Sequence, residues 1–431
     1  MKNAFTPAQL ADPQLGPAAK AVRSCVHCGI CTATCPTYVM LGDERDGPRG
    51  RIILMQRMLE AGGTPDKETV HHIDRCLSCL NCKTACPSSV NYQRLVDQAR
   101  SHIQEHYRRP LGDRLLRWSL AKIMTRPKLV RLGLLFARIG APVAGRIPGR
   151  LGAMARMGLT ARLQGLDPLT FPKPVQVTQR IALMPGCVQG ALAPQIDGAV
   201  ARVLARRGIE LIALEGAGCC GALPHHMGRE AESRAFAKRA IKAYEAGRYD
   251  GVLITATGCS AQLKDFAHQF AGDEEWEPRA TAFAAAAKDF LDLATPLTAT
   301  PPVDLRVAYH PACSLQNSLK LNGYGEALLS AAGFLLVPFG EPHLCCGSAG
   351  TYSILQPELS GMLRARKLGH LEAANPDVIV SGNIGCLTHL AGPGTPPMLH
   401  LAELLDWAEG GLKPENLLLP AGRLELETRA G

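Results

Sequence analysis

Residues Cys25-Val26-His27-Cys28-Gly29-Ile30-Cys31-Thr32-Ala33-Thr34-Cys35-Pro36 place four thiols in a Cys-x2-Cys-x2-Cys-x3-Cys-Pro run, and Cys76 to Pro87 repeats that spacing. Three closely spaced thiolates can wrap one face of a cubane iron–sulfur cluster. The fourth Cys lies beyond that loop, and in two-run proteins it ligates the other cluster. The run therefore assigns Cys25, Cys28, Cys31 and Cys86 to one [4Fe-4S] cluster, and Cys76, Cys79, Cys82 and Cys35 to a second. Such crossing would staple residues 25–86 into one short electron wire. Two zinc sites or disulfides are the competing reading, but zinc usually takes separated ligand pairs, which a run of four with a trailing Pro fits poorly.

The other eight Cys form an internal repeat. Cys187, Cys219, Cys220 and Cys259 are matched by Cys313, Cys345, Cys346 and Cys386, at an offset of 126 residues for the first three and 127 for the last. Each adjacent pair is followed by Gly. These thiols could share a further cluster, bind zinc or cycle as redox groups. His225, His226, His310, His343 and His389 lie near them in sequence; a lone His is read first as a hydrogen-bonded structural residue.

Short apolar runs precede these Cys: Ile181 to Met184, Ile209 to Leu214 and Gly251 to Thr255 in one copy, Arg306 to Tyr309, Phe334 to Phe339 and Asp377 to Ser381 in the other. By length and β-branched content they read as buried strands. Helical patterns (Gln195 to Arg206, Glu230 to Ala246, Gly325 to Ala332, Leu359 to Ala373) separate them, so each copy reads strand–helix–strand–helix–strand, the pattern of a parallel sheet. Ligands of such sheets bind beyond the carboxyl ends of the strands, where all eight Cys fall. The N-terminal part reads as helical, with helices near Pro17 to Ser24, Ile52 to Ala61, Lys67 to Arg75 and Tyr92 to Tyr107. Arg49 and Arg51 are either cluster-tuning charges or ordinary surface groups.

The fold class expected is thus α+β multidomain. Residues 1–107 form a helical di-cluster ferredoxin-type domain and 108–179 a basic helical connector. Residues 180–300 and 301–410 form two tandem α/β Cys-Cys-Gly repeats with parallel sheets, and 411–431 a tail.

The chain has 431 residues, 46% hydrophobic, enough for a sizeable core. Its net charge of +9 is unevenly placed: Tyr107 to Arg180 holds 15 Lys and Arg against two acids, or +13, leaving −4 elsewhere. The connector's apolar positions recur at helical spacing between these bases. That suits packing on the rest of the chain, docking a partner subunit, or an acidic membrane surface. The start lacks an apolar signal region and no run of 18 apolar residues occurs, so a cytoplasmic protein without a membrane span is expected. In that reducing setting 16 Cys point to metal ligation. No Gly-x-Gly-x-x-Gly loop offers a dinucleotide site, and no nucleic-acid partner is expected.

Five stretches carry a resemblance: Val26 to Ile52, Asp74 to Tyr92, Ala217 to His226, His343 to Tyr352 and Asn383 to Ala391. With them the chain resembles a family of respiratory iron–sulfur subunits that includes those of anaerobic glycerol-3-phosphate dehydrogenase, lactate-utilisation proteins and heterodisulfide reductases. Within it, the likeness is greatest to bacterial glycolate oxidase (glycolate dehydrogenase) iron–sulfur subunits. The resemblance implies FAD-containing partner subunits that oxidise glycolate or D-lactate. Electrons would then pass through this chain to a membrane acceptor such as quinone, with the protein peripheral on the cytoplasmic face of the inner membrane. No catalytic residue is expected on this chain. Heterodisulfide reductase relatives carry a fifth Cys per repeat; Gln262 and His389 stand at those positions here, which speaks against disulfide-reductase chemistry.

Overall fold

The N-terminal helices start where local chemistry allows. Pro48 opens Pro48–Ala61 at a position where no amide donor is needed. Asp66 caps Lys67–Asp74 by accepting a bond from the Thr69 amide at 2.7 Å. These helices, with Leu15–Ser24 and Tyr92–His106, bury one core that includes Val22, Met55, Ile73, Leu95 and Val96. The computed structural model describes residues 4–139, 149–150 and 171–417.

Two four-stranded parallel sheets follow. β1 (Gln179–Leu183), β2 (Ile209–Ala213), β3 (Gly251–Leu253) and β4 (Ala287–Lys288) lie in the order β2-β1-β3-β4. β5 (Arg306–Tyr309), β6 (Leu335–Leu336), β7 (Val378–Ser381) and β8 (Met398–His400) repeat it as β6-β5-β7-β8. The pattern anticipated three strands per copy. The fourth, Ala287–Lys288 in β4 and Met398–His400 in β8, has no β-branched residue to mark it as a strand. Each leads into a helix closed by a capping box: Asp289 before Phe290–Leu293 and His400 before Leu401–Ala408.

One hydrophobic cluster runs through both repeats, joining Val200 and Leu204 of the first to Leu404 and Leu405 of the second. Arg202 and Arg206 reach across it to the buried Asp406, at 2.8 and 2.9 Å. The carboxyl-end loops also meet, with Thr257 Oγ1 2.9 Å from Ser314 Oγ and the Thr257 amide donating to the Gly382 carbonyl at 3.3 Å.

The connector begins as expected with two helices, Leu111–Ile123 and Pro127–Ile139. Leu120 and Ala121 pack on Met227 of the first repeat and on Ile354 and Leu355 of the second. The remainder of the expected connector, 140–148 and 151–170, and the tail from 418 lie outside the described residues.

Candidate metal centres

Each ferredoxin-type run is bent by left-handed residues at matching places. His27 (φ 56°) and Gly29 (φ 83°) in the first run correspond to Ser78 (φ 53°) and Leu80 (φ 61°) in the second. Leu80 is a branched residue in a region that L side chains rarely adopt. Such turns aim successive backbone N–H groups into a concavity suited to an anion, a geometry found at iron–sulfur sites. The residues present therefore fit an anionic, thiolate-ligated cluster.

The thiols gather across the two runs. Cys25, Cys28, Cys31 and Cys86 line one small cavity of about 30 Å³, which Cys82 lines as well. Burial, then the neighbouring Cys25, Cys86 and Cys28, push the Cys31 thiol up to about 11. On the other side, burial raises Cys82 beside Cys76 and Cys35, and raises Cys79 beside Cys345, Cys35 and Cys82.

The charges around these runs are fixed. Arg51 is buried; it donates to the His72 carbonyl at 2.7 Å and to Thr37 Oγ1 at 3.0 Å, and lies 3.9 Å from Cys35 Sγ. Asp46, fully buried, answers it at 3.2 Å and Arg75 at 2.8 Å. Arg49 donates to the His27 carbonyl at 3.3 Å and packs on Gly29. Both arginines thus stand against Cys-run atoms.

In the repeats every Cys follows a strand end. Cys187 Sγ lies 3.4 Å from Cys219 Sγ, and Cys313 Sγ lies 3.8 Å from Cys345 Sγ. Cys346 and Cys386 are 3.4 Å apart, and with His310 they form a buried trio whose ligand atoms all lie within 4.8 Å of one another. Neither ring nitrogen of His310 has a hydrogen-bond partner among the described residues, although the residue is only 1% exposed. Hydrogen bonding to Cys346 holds the Cys386 thiol well below its ordinary value, against the opposing effect of burial. The Cys-Cys-Gly turn needs its glycine: a Cβ on Gly347 (φ 93°) would sit 2.8 Å from the Ser360 carbonyl oxygen.

The other histidines near the Cys turn elsewhere. His225 faces Asp97 (3.5 Å) and Glu230 (2.8 Å), and His389 Nε2 lies 3.3 Å from Ser360 Oγ. The His343 carbonyl accepts a bond from Asn81 at 2.7 Å. His226 and the Gln262 side chain border the cavity between the repeats. Sequence reasoning missed the seam where the second Cys run meets the second repeat. There Asn317 donates to the Cys79 carbonyl at 2.8 Å and accepts from Thr84 at 2.7 Å. Single polar residues far apart in sequence give no pattern to find.

A family described as a 4Fe-4S dicluster domain matches residues 21–90, and one described as a cysteine-rich domain matches 181–264 and 307–391. All 16 Cys fall inside these matches. The glycolate oxidase iron-sulfur subunit of Escherichia coli (strain K12) is 39% identical over 394 residues, which cover 90% of this chain and 94% of that protein. The chain belongs to the glycolate oxidase iron–sulfur subunit family. The family's relative in Bacillus subtilis (strain 168), a probable glycolate oxidase iron-sulfur subunit, is 30% identical over 419 residues, covering 90% of this chain and 94% of its own. Lactate utilization protein A of Geobacillus kaustophilus (strain HTA426) is 28% identical over 238 residues, 53% of this chain and 98% of that protein. Among solved structures, a hypothetical protein from Helicobacter pylori superposes with a TM-score of 0.53 at 10% identity, covering 96% of this chain and 74% of that one, and so shares the fold. The cysteine-rich matches end before β4 and β8, so the capped helices Phe290–Leu293 and Leu401–Ala408 lie outside the matched residues.

Proposed function

We propose that this chain is the electron-transfer subunit of a glycolate dehydrogenase complex. FAD-containing partner subunits oxidise glycolate to glyoxylate, and D-lactate to pyruvate, and their electrons leave through this chain to a membrane quinone. Two [4Fe-4S] clusters supply the one-electron steps when bound. Cys25, Cys28, Cys31 and Cys86 hold one, and Cys76, Cys79, Cys82 and Cys35 the other. The observation that carries this reading is the gathering of Cys86 with the three thiols of the opposite run around one cavity. Arg51 places a cation beside Cys35, where it favours the more negative, reduced state and raises the potential.

The second Cys-Cys-Gly repeat suits a further metal, held by Cys313, Cys345, Cys346 and Cys386 with His310 as an added donor. Support comes from the unpartnered, buried His310 ring beside two thiols. Cys187, Cys219, Cys220 and Cys259 of the first repeat read as the weaker site, with no His among them.

The test is iron and acid-labile sulfide per chain on anaerobically purified complex, with EPR after adding glycolate. Cluster signals that need both glycolate and the flavin subunits are expected. Zinc in place of iron, or clusters that glycolate never reduces, overturns the reading.

A further inference from the structure

The carboxyl ends of both sheets open into one cavity of about 1370 Å³, walled by both repeats and by the Leu77 to Leu80 loop of the second Cys run. Small-molecule sites usually occupy about 300–1,000 Å³, so a substrate fits here beside the thiol groups. Most of the wall is hydrocarbon, from residues such as Leu192, Ile196, Leu223, Ile254 and Leu387. Set into it are two buried nitrogens without hydrogen-bond partners among the described residues, Gln262 Nε2 and His226 Nδ1. An apolar molecule bearing two acceptor oxygens would offer a partner to each. Next to His226, His225 is held between Asp97 and Glu230, which favour its protonated form.

The route in is apolar as well. Met124 lines the cavity and joins the two connector helices. Those helices expose Leu111, Leu115 and Trp118, then Leu132, Leu135 and Phe136, with Arg114, Arg126 and Lys128 exposed among them. Large apolar groups edged by bases are what a helix lying in an anionic bilayer surface presents.

We propose that this cavity is the electron-acceptor site of the chain, binding the head group of a membrane quinone that enters beside Met124. The proposal rests on the electron-transfer reading above. Two electrons from the oxidised hydroxy acid, delivered one at a time past Leu77 to Leu80, and two protons convert the two C=O groups of the quinone to C–OH. No other bond breaks. Gln262 and His226 position the carbonyl oxygens, and the His225–Asp97–Glu230 group passes protons inward from solvent.

The experiment uses the full chain purified anaerobically, reduced with dithionite, freed of excess reductant and mixed with decylubiquinone or with ferricyanide. Gln262→Leu and Leu223→Trp are each expected to slow reoxidation by decylubiquinone about tenfold or more, the loss of about 1.4 kcal/mol of binding. Ferricyanide, a small hydrophilic oxidant expected to react at the exposed Cys28 edge, should be unaffected. Equal effects on both oxidants, or on neither, overturn the proposal. Independently of turnover, an arylazido-quinone illuminated with the unaltered chain should label residues within 186–196, 222–226, 254–265 or 383–398; label only elsewhere, or none, also overturns it. If the electron-transfer reading itself fails, dithionite produces no reduced cluster to reoxidise, a result separate from either.

Discussion

The two Cys-Cys-Gly repeats have the same strand order and the same Ser-to-glycine-carbonyl brace, Ser233 to Gly221 and Ser360 to Gly347, yet their sulfur sits in different company. Where the second has His310 and Lys367, the first has Met184 and Ala240 at the 126- and 127-residue offsets. All four are buried. The repeats also meet the ferredoxin-type part differently. The first meets it through side-chain charge, Arg94 with Asp265 and Asp97 with His225. The second meets the Cys loop itself, where Leu77 packs with Cys345 and Tyr352 in a cluster that Cys79 and Cys313 border. One scaffold, used twice, can keep its backbone while a few buried side chains decide which copy carries charge.

The sharpest way to break this contrast is by metal content. Cys345→Ser should remove iron in excess of two four-iron clusters, together with its EPR signal, while Cys219→Ser leaves both; equal losses would make the copies equivalent. Next in size is the anchor under the loop that faces the second repeat. Asp46→Asn leaves Arg51 with a buried, unanswered charge and should cost about 3–5 kcal/mol in denaturant unfolding. Asp265→Asn, on the first-repeat side, should cost less, because Arg94 still faces Asp97. Smaller again, Asn317→Leu strands the Cys79 carbonyl and Thr84 at the seam and should cost about 1–3 kcal/mol. Its effect should register in the second repeat's EPR signal and leave the first repeat's contacts intact.

The smallest effect is one of pH. His225 has its folded pKa raised well above 6.5 by Asp97 and Glu230, against the opposing effect of burial, and Asp97 has its own held at about 2. A raised imidazole stabilises fully below its unfolded pKa and loses that contribution as pH rises toward the folded one. A lowered carboxyl stabilises above about 3.8 and loses it as pH falls through about 2. The stability difference between the parent and His225→Gln should therefore be greatest between about pH 4 and 6.5 and shrink on either side. A difference that is flat with pH would make this contact a packing contact only.

Much of this was legible from Cys spacing alone, because loop ligands must lie close in sequence to wrap a cluster and strands must end where the thiols converge. The parallel sheets followed from short β-branched runs alternating with helical patterns. What stayed hidden was set by tertiary contact. β4 and β8 hold no β-branched residue that would mark them as strands. His310 looked like any structural His until its ring proved to lack partners among the described residues, and only its burial beside Cys35 decided between the two readings of Arg51, cluster-side charge or surface group. The seam through Asn317 joins residues more than 230 positions apart, separated by 238 from Cys79 and by 233 from Thr84.

The placement of Cys86 among Cys25, Cys28 and Cys31 bears on how the protein is made. A ribosome releases the first run well before the residue that completes its thiol set. On the proposed ligation no cluster can be finished on the nascent first run, and both must be loaded after the second run has emerged. Damage then propagates as assembly does: losing either cluster to oxygen frees a ligand that belongs to the run holding the other. Maturation and decay of the pair are each expected to be all-or-none.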